Sequence, residues 1–146
     1  MERLLRKKLK DGRFDAVSPI RSAAMSAVRG RGNRTTELVF RMALVRQKVA
    51  GWVLHPKELP GLPDIYFPES RLAVFLDGCF WHGCPRCGHV PRTNRGFWSL
   101  KIRRNRERDR AKRRKLRAQG VRVVSFWEHQ LRDDISHCVR LVTSKL

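Results

Sequence analysis

Residues Asp77 to Cys87 (DGCFWHGCPRC) place an acid, a histidine, two large aromatic rings and three cysteines within eleven positions. The cysteines read Cys79-x4-Cys84-x2-Cys87, and a C-x2-C pair lets two thiolates grip one tetrahedral metal ion. Three thiolates leave one coordination position of a structural zinc open, to be filled by His82, His89, His129 or another histidine. A histidine adjacent in sequence has little freedom to close a tetrahedron. His129 follows an apolar run that can lie beside the strand leading into Cys79, so its distance in sequence is no obstacle. Redox chemistry is the competing use of clustered thiols, but the x4 and x2 spacing favours a metal. An aspartate and a histidine beside such a knuckle suit hydrolytic chemistry.

A second pair of residues bears on the same chemistry. Asp64 follows Pro63 and opens one apolar run, and Asp77 closes the next. With a turn at Pro68 to Arg71, an antiparallel hairpin would set the two carboxylates side by side. Two carboxylates at one sheet edge form a hard-oxygen site that suits Mg²⁺. Pro63-Asp64 followed by an acid one strand later is the skeleton of the PD-(D/E)XK nucleases, but the lysine position here is Cys79. His82 is the nearest group with a pKa suited to activating water in its place.

The elements that must position these residues follow from apolar spacing. Thr35 to Val49 reads as a helix with Leu38, Met42, Val45 and Val49 on one stripe, Asn33 or Thr35 as cap and Gly51 past its end. Trp52 to His55, Asp64 to Phe67, Leu72 to Leu76 and Val121 to Trp127 read as strands, rich in aromatic and β-branched residues. Between the last two lies a helix from about Phe97 to Ala118, with eleven Lys and Arg between Lys101 and Arg117. Trp98, Ile102, Asn105, Asp109 and Leu116 share one stripe of it, so Asp109 points inward and needs a partner, if only a structural salt bridge. A last helix, Asp133 to Leu146, turns Leu131, Ile135, Cys138 and Val142 inward, making Cys138 a core thiol. The expected fold is α/β, a mixed central sheet flanked by helices. Residues 18–146 form one domain behind a basic arm at residues 1–17.

Composition limits the partner. The 146 residues carry 33 Lys plus Arg against 13 Asp plus Glu, a formal net charge of +20. Such a surface attracts a polyanion, and interleaved aromatics favour nucleic acid over a membrane surface. No apolar run approaches the ~18–20 residues of a membrane span, and the basic N-terminus lacks a signal peptide's apolar region. Clustered rather than dispersed cysteines imply a reducing, intracellular (cytoplasmic) setting.

The chain resembles the very short patch repair (Vsr-type) mismatch endonucleases. The matching pieces are RSAAM (Arg21 to Met25), Thr35-Thr36-Glu37, LPGLPD (Leu59 to Asp64), FLDGCFWHGCP (Phe75 to Pro85) and VPRTN (Val90 to Asn94). Phe97-Trp98, Asn105 with Glu107-Arg108-Asp109, and FWEHQL (Phe126 to Leu131) continue the family's order, from about Ser18 to Leu131. The resemblance implies a restriction-endonuclease-like fold and a Mg²⁺-dependent nick of duplex DNA, 5′ to the thymine of a T:G mismatch left by 5-methylcytosine deamination. By position it makes Asp64 the central Mg²⁺ ligand, helped by the backbone carbonyl of Leu76, and His82 the general base. Glu37 and Asp109 match acids that support the metal and its waters, and Asp77 occupies a site position that varies in the family. Phe80, Trp81 and Trp98 match rings that wedge into the base stack beside the mismatch, and Met25 matches a residue entering from the other groove. Zinc carries over as Cys79, Cys84, Cys87 and His129, with histidine where the family more often has cysteine. The resemblance also implies a monomer, with mismatch-repair proteins as possible partners. The alternatives are a Vsr-like nickase with another DNA target, as in defence or restriction, and a zinc-containing nucleic-acid-binding protein without catalysis.

Overall fold

A computed structural model describes residues 36–146 together with Ser18 and Ile20. The basic arm, Met25, Asn33 and Thr35 lie outside the described residues. Seven elements follow in order: α1 (Glu37–Arg46), β1 (Val53–Leu54), β2 (Ile65–Phe67), β3 (Leu72–Asp77), α2 (Arg95–Ala118), β4 (Arg122–Trp127) and α3 (Glu128–Thr143). They make the expected mixed sheet, in the order β1-β2-β3-β4. β1 pairs with β2 and β2 with β3 antiparallel, whereas β3 and β4 run parallel, joined by α2. Parallel neighbours need a long crossover, and the basic helix supplies it.

β3 is the centre of the molecule, buried along all six residues. Its alternate side chains serve two faces. Leu72, Val74 and Leu76 pack with Phe40 and Leu44 of α1 and Leu131, Val139 and Val142 of α3. Ala73 and Phe75 pack with Leu116 of α2 and Val121 on the other. A strand buried on both faces reads as one apolar run, as LAVFL does.

Three expectations about the elements are corrected. In α1 the inward face is Glu37, Phe40, Ala43 and Leu44, while the expected stripe of Leu38, Met42 and Val45 is 38%, 47% and 57% exposed. Both sets repeat at helical spacing, and the bulk of Phe40 against Phe126, with ring centroids 5.7 Å apart, decides which one faces the sheet. The helix also ends before Gly51: Lys48 takes the left-handed turn at φ 56°, and the N–H of Val49 returns to the Leu44 carbonyl (2.9 Å). The last helix begins five residues earlier than expected, directly after β4. Asp134 leaves helical geometry inside it, and its carboxylate accepts the His137 N–H (2.8 Å). The cap-like Asp133-Asp134 pair therefore marks a kink rather than a start. Cys138 is buried at 2% exposure, as its stripe requires.

Candidate functional site

The sheet delivers its polar side chains to the C-terminal ends of β3 and β4, where three clusters meet. The first is the cysteine knuckle. After Asp77 the chain turns back on itself, with the Cys84 N–H bonded to the Cys79 carbonyl and the Gly88 N–H to the Cys84 carbonyl, both 2.9 Å. Gly88 is required here, because a Cβ would lie 2.5 Å from the Cys84 carbonyl oxygen and 2.7 Å from its nitrogen. The three sulfurs converge on one atom from the far side of the crossover. The Nδ1 of His129 lies 3.4 Å from Cys79 Sγ, 3.5 Å from Cys84 Sγ and 3.4 Å from Cys87 Sγ. Cys84 and Cys87 sulfurs are 3.6 Å apart. Bonds of about 2.3 Å to sulfur and about 2.0 Å to nitrogen imply tetrahedral edges of about 3.5 Å (S to N) and about 3.8 Å (S to S). The four donors thus have the spacing of a closed tetrahedral site that could hold a metal ion. Burial pushes the Cys79 thiol up to about 12. At Cys84 burial also favours the thiol, but N–H groups of Cys87 and Arg86 outweigh it and lower its pKa.

The second cluster is Glu37, His55 and Asp64, whose donor atoms all lie within 4.8 Å of one another. Glu37 opens α1 and is 4% exposed. His55 Nε2 meets Glu37 Oε1 at 3.1 Å. Asp64 Oδ2 accepts the Leu76 backbone N–H at 2.8 Å, which ties the loop after Pro63 to β3. Burial raises the Asp64 carboxyl to about 6; the Leu76 N–H opposes this, the Glu37 charge reinforces it, the His55 charge opposes it, and Asp77 adds a small push upward.

The third cluster is built on α2. His82 Nδ1 lies 2.6 Å from Asp109 Oδ2 and 3.8 Å from Asp77 Oδ1. Arg113 Nη2 meets both Asp77 oxygens, at 2.6 and 2.5 Å, and its guanidinium stacks over Phe75 at 5.1 Å. Burial works against a charged His82, yet the Asp109 hydrogen bond and the charges of Asp77 and Asp109 prevail over burial and Arg113, so its pKa rises. Asp109 is lowered: burial alone would raise it, but the His82 bond and the charges of His82, Arg113 and Arg108 pull it down. Asn105, one turn before Asp109, donates to the Trp81 carbonyl (3.0 Å). Gly83, at φ +64°, lets the loop close on α2, since a Cβ there would sit 2.6 Å from Ile102.

The expected side-by-side pairing of Asp64 with Asp77 is corrected. Phe67 pairs with Leu72, Tyr66 with Ala73 and Ile65 with Val74, so Asp64 falls opposite Phe75 and Asp77 lies two residues beyond it. Each acid joins a different cluster. The expected inward turn of Asp109 is observed, with His82 rather than an arginine as its shortest polar contact. Phe80, Trp81 and Trp98 come together edge to face, at centroid distances of 5.0, 5.3 and 6.0 Å. Lys101 Nζ lies 5.7 Å from the Trp81 ring and 5.9 Å from Trp98. Sequence reasoning missed His55, a lone histidine before a proline; Arg113, one cation among many; and Glu128, whose carboxylate accepts the Cys79 N–H (3.3 Å). His55 alone carried a visible signal, its place just upstream of the Leu59 to Asp64 loop.

A mixed α/β sheet that brings acids and a hydrogen-bonded histidine to one strand end, beside a basic helix, is the equipment of a hydrolytic enzyme for a polyanion. The family model for DNA mismatch endonuclease Vsr matches residues 15–87. The chain is 42% identical over 122 residues to the Type II nicking enzyme V.XorIIP of Xanthomonas oryzae pv. oryzae, covering 82% of this chain and 88% of that protein. It is 37% identical over 115 residues to the DNA mismatch endonuclease Vsr of Escherichia coli (strain K12), covering 77% and 71%. A shorter match, 50% over 78 residues, links it to the Type II nicking enzyme V.NaeI of Lentzea aerocolonigenes, covering 53% and 47%. The chain belongs to the Vsr family and is a DNA endonuclease, acting on phosphodiester bonds. Among the described residues, no helix is long and apolar enough to cross a membrane.

Proposed function

We propose that the chain is a restriction-endonuclease-like nickase that cuts one strand of duplex DNA 5′ to the thymine of a T:G mismatch and so starts very short patch repair. The observation that carries this reading is the 2.6 Å contact of His82 with Asp109 at the end of β3 that also receives Asp64. In it, Asp64 and the Leu76 carbonyl would hold Mg²⁺, with Glu37 and Asp109 placed to support it. A divalent ion held there would supply positive charge against the charge that develops on the phosphate. His82 takes a proton from the attacking water, and Asp109 holds the imidazole in place and stabilises the imidazolium that results. Asp77, bound to Arg113, adds negative charge beside His82 without competing for the same hydrogen bond. Cys79, Cys84, Cys87 and His129 hold a structural zinc, for which both donor types and edge lengths are suited.

Phe80, Trp81 and Trp98 wedge into the base stack, with Met25 entering from the opposite groove. Unstacking costs least at a weakened pair, which favours a mismatch. The cations of α2 other than Arg113, which Asp77 holds, serve the phosphate backbone. The enzyme works as a monomer inside the cell, residues 18–146 forming one domain behind a basic arm, with mismatch-repair proteins as possible partners.

The test is nicking of labelled duplexes carrying each mismatch in varied flanks, with Mg²⁺. T:G-dependent single-strand cleavage that is lost in Asp64→Ala and His82→Ala is expected. Cleavage surviving both substitutions overturns the mechanism. A second reading, a family nickase with another target, is favoured by the relatives named Type II nicking enzymes. Equal nicking of T:G and matched duplexes would select it.

A further inference from the structure

The Glu37–His55–Asp64 cluster contains one group that the nicking mechanism leaves unused. His55 stands between two carboxylates that belong to different elements, α1 and the loop before β2. Its backbone lies in the left-handed region at φ 45°, immediately before Pro56, a setting unfavourable for a residue with a side chain. Its N–H is anchored to the Asp64 carbonyl (3.4 Å), and the strained turn delivers the ring to Glu37. Nε2 lies 3.1 Å from Glu37 Oε1. A hydrogen bond has that length, but so does the edge between two neighbouring ligands of an octahedral ion, about 3.0 Å for bonds of about 2.1 Å. The other ring nitrogen, Nδ1, is buried and has no hydrogen-bond partner, so no second bond commits the ring to its present tautomer. With Asp64 the three donors fall within one ion's reach.

We infer that His55 is a nitrogen ligand of the cation at Asp64, that Glu37 binds this ion directly rather than through its waters, and that the imidazole makes the site select a first-row transition ion over Mg²⁺. The inference rests on the proposed metal-dependent nicking and deepens it. Carboxylates and water suit Mg²⁺, whereas an imidazole donor adds affinity for softer divalent ions and little for Mg²⁺. Two acids and a histidine therefore form a different site from one made of oxygen alone.

The experiment uses full-length protein loaded with zinc, so that the cysteine knuckle is filled, and Mn²⁺ as the probe. Binding is followed by the electron paramagnetic resonance signal of free Mn²⁺, with Mg²⁺ as competitor, and electron spin echo modulation detects a coordinated ¹⁴N. Mn²⁺ should bind about tenfold or more tightly than Mg²⁺, with nitrogen modulation present. His55→Ala should lose the modulation and most of that preference while keeping its melting temperature, and His82→Ala should keep both. Absence of nitrogen modulation in the unsubstituted protein overturns the inference, as does its loss in His82→Ala. His55→Gln retains a hydrogen bond to Glu37 but binds a metal poorly; Mn²⁺ affinity at the original level in that variant would also overturn it. Loss of Mn²⁺ in Asp64→Ala but not in His55→Ala sinks the ligand assignment and leaves the nuclease reading standing. Undiminished Mn²⁺ binding in Asp64→Ala sinks the cation placement on which both rest.

Discussion

The cysteine knuckle and the Glu37–His55–Asp64 cluster lie at the same end of the sheet, yet they are assembled in opposite ways. Three of the knuckle's four donors come from one nine-residue turn, Cys79 to Cys87, and the fourth is locked by the parallel pairing of β3 with β4. It is sulfur-rich and closed, its four donors supplied from within the chain. The acidic cluster draws each donor from a different segment: Glu37 from the start of α1, His55 from the turn after β1 and Asp64 from the loop before β2. Closure is what a structural site needs, and an open coordination position is what a working site needs.

The largest expected effect separates the two. Cys84→Ala removes a ligand from the closed site, where binding free energies reach about 10–16 kcal/mol in small zinc domains. Loss of the knuckle's zinc and a fall in melting temperature of more than about 10 °C are expected by calorimetry, whereas Glu37→Gln should retain that zinc and the original melting temperature. Equal thermal losses would erase the distinction. Next, His82→Ala should lower single-turnover nicking by about 10²–10⁴-fold without changing metal content, since His82 is a donor in neither metal group.

Arg113→Ala leaves the buried Asp77 (4% exposed) without its guanidinium. Breaking such a pair costs about 3–5 kcal/mol, read as a lower denaturant midpoint, and Asp77→Asn in the same chain should restore part of it. The smallest effect is on pH. The Asp64 carboxyl sits at about 6 in the folded chain against its ordinary 3.8, so the folded chain keeps a proton that the unfolded chain has already lost between those values. Below pH 6 a cation must displace that proton, and its affinity should fall about tenfold per pH unit. Above pH 6 it should level off. Isothermal titration at pH 5, 6 and 7 checks this, and a flat profile would show that Asp64 is not the competing group.

The same contrast explains what could be read from the chain beforehand. The knuckle was legible because its spacing is local, and the His82–Asp109 pair because an acid on an apolar helical stripe must find a partner inside. β2, β3 and β4 were legible as apolar runs. The orientation of α1 was not: Leu38–Met42–Val45 and Phe40–Ala43–Leu44 are both helical stripes, and only the volume left by Phe126 and Val74 chooses between them. The Asp64–Asp77 pairing failed by two residues, because a hairpin's ends need not be flush and β3 runs on past β2. His55 and Arg113 gain meaning only from tertiary neighbours, which no spacing rule contains.

One consequence of the knuckle extends beyond its own turn. Cys79 and His129 lie 50 residues apart in the chain, and everything between them, the basic crossover helix with Asp109 and Arg113 included, is a loop cinched at its base. Cys87 is the exposed cysteine of the set, so an oxidant arriving from solvent meets it first. Damage there would unfasten the loop and carry Asp109 away from His82, silencing a nuclease from outside its catalytic pair.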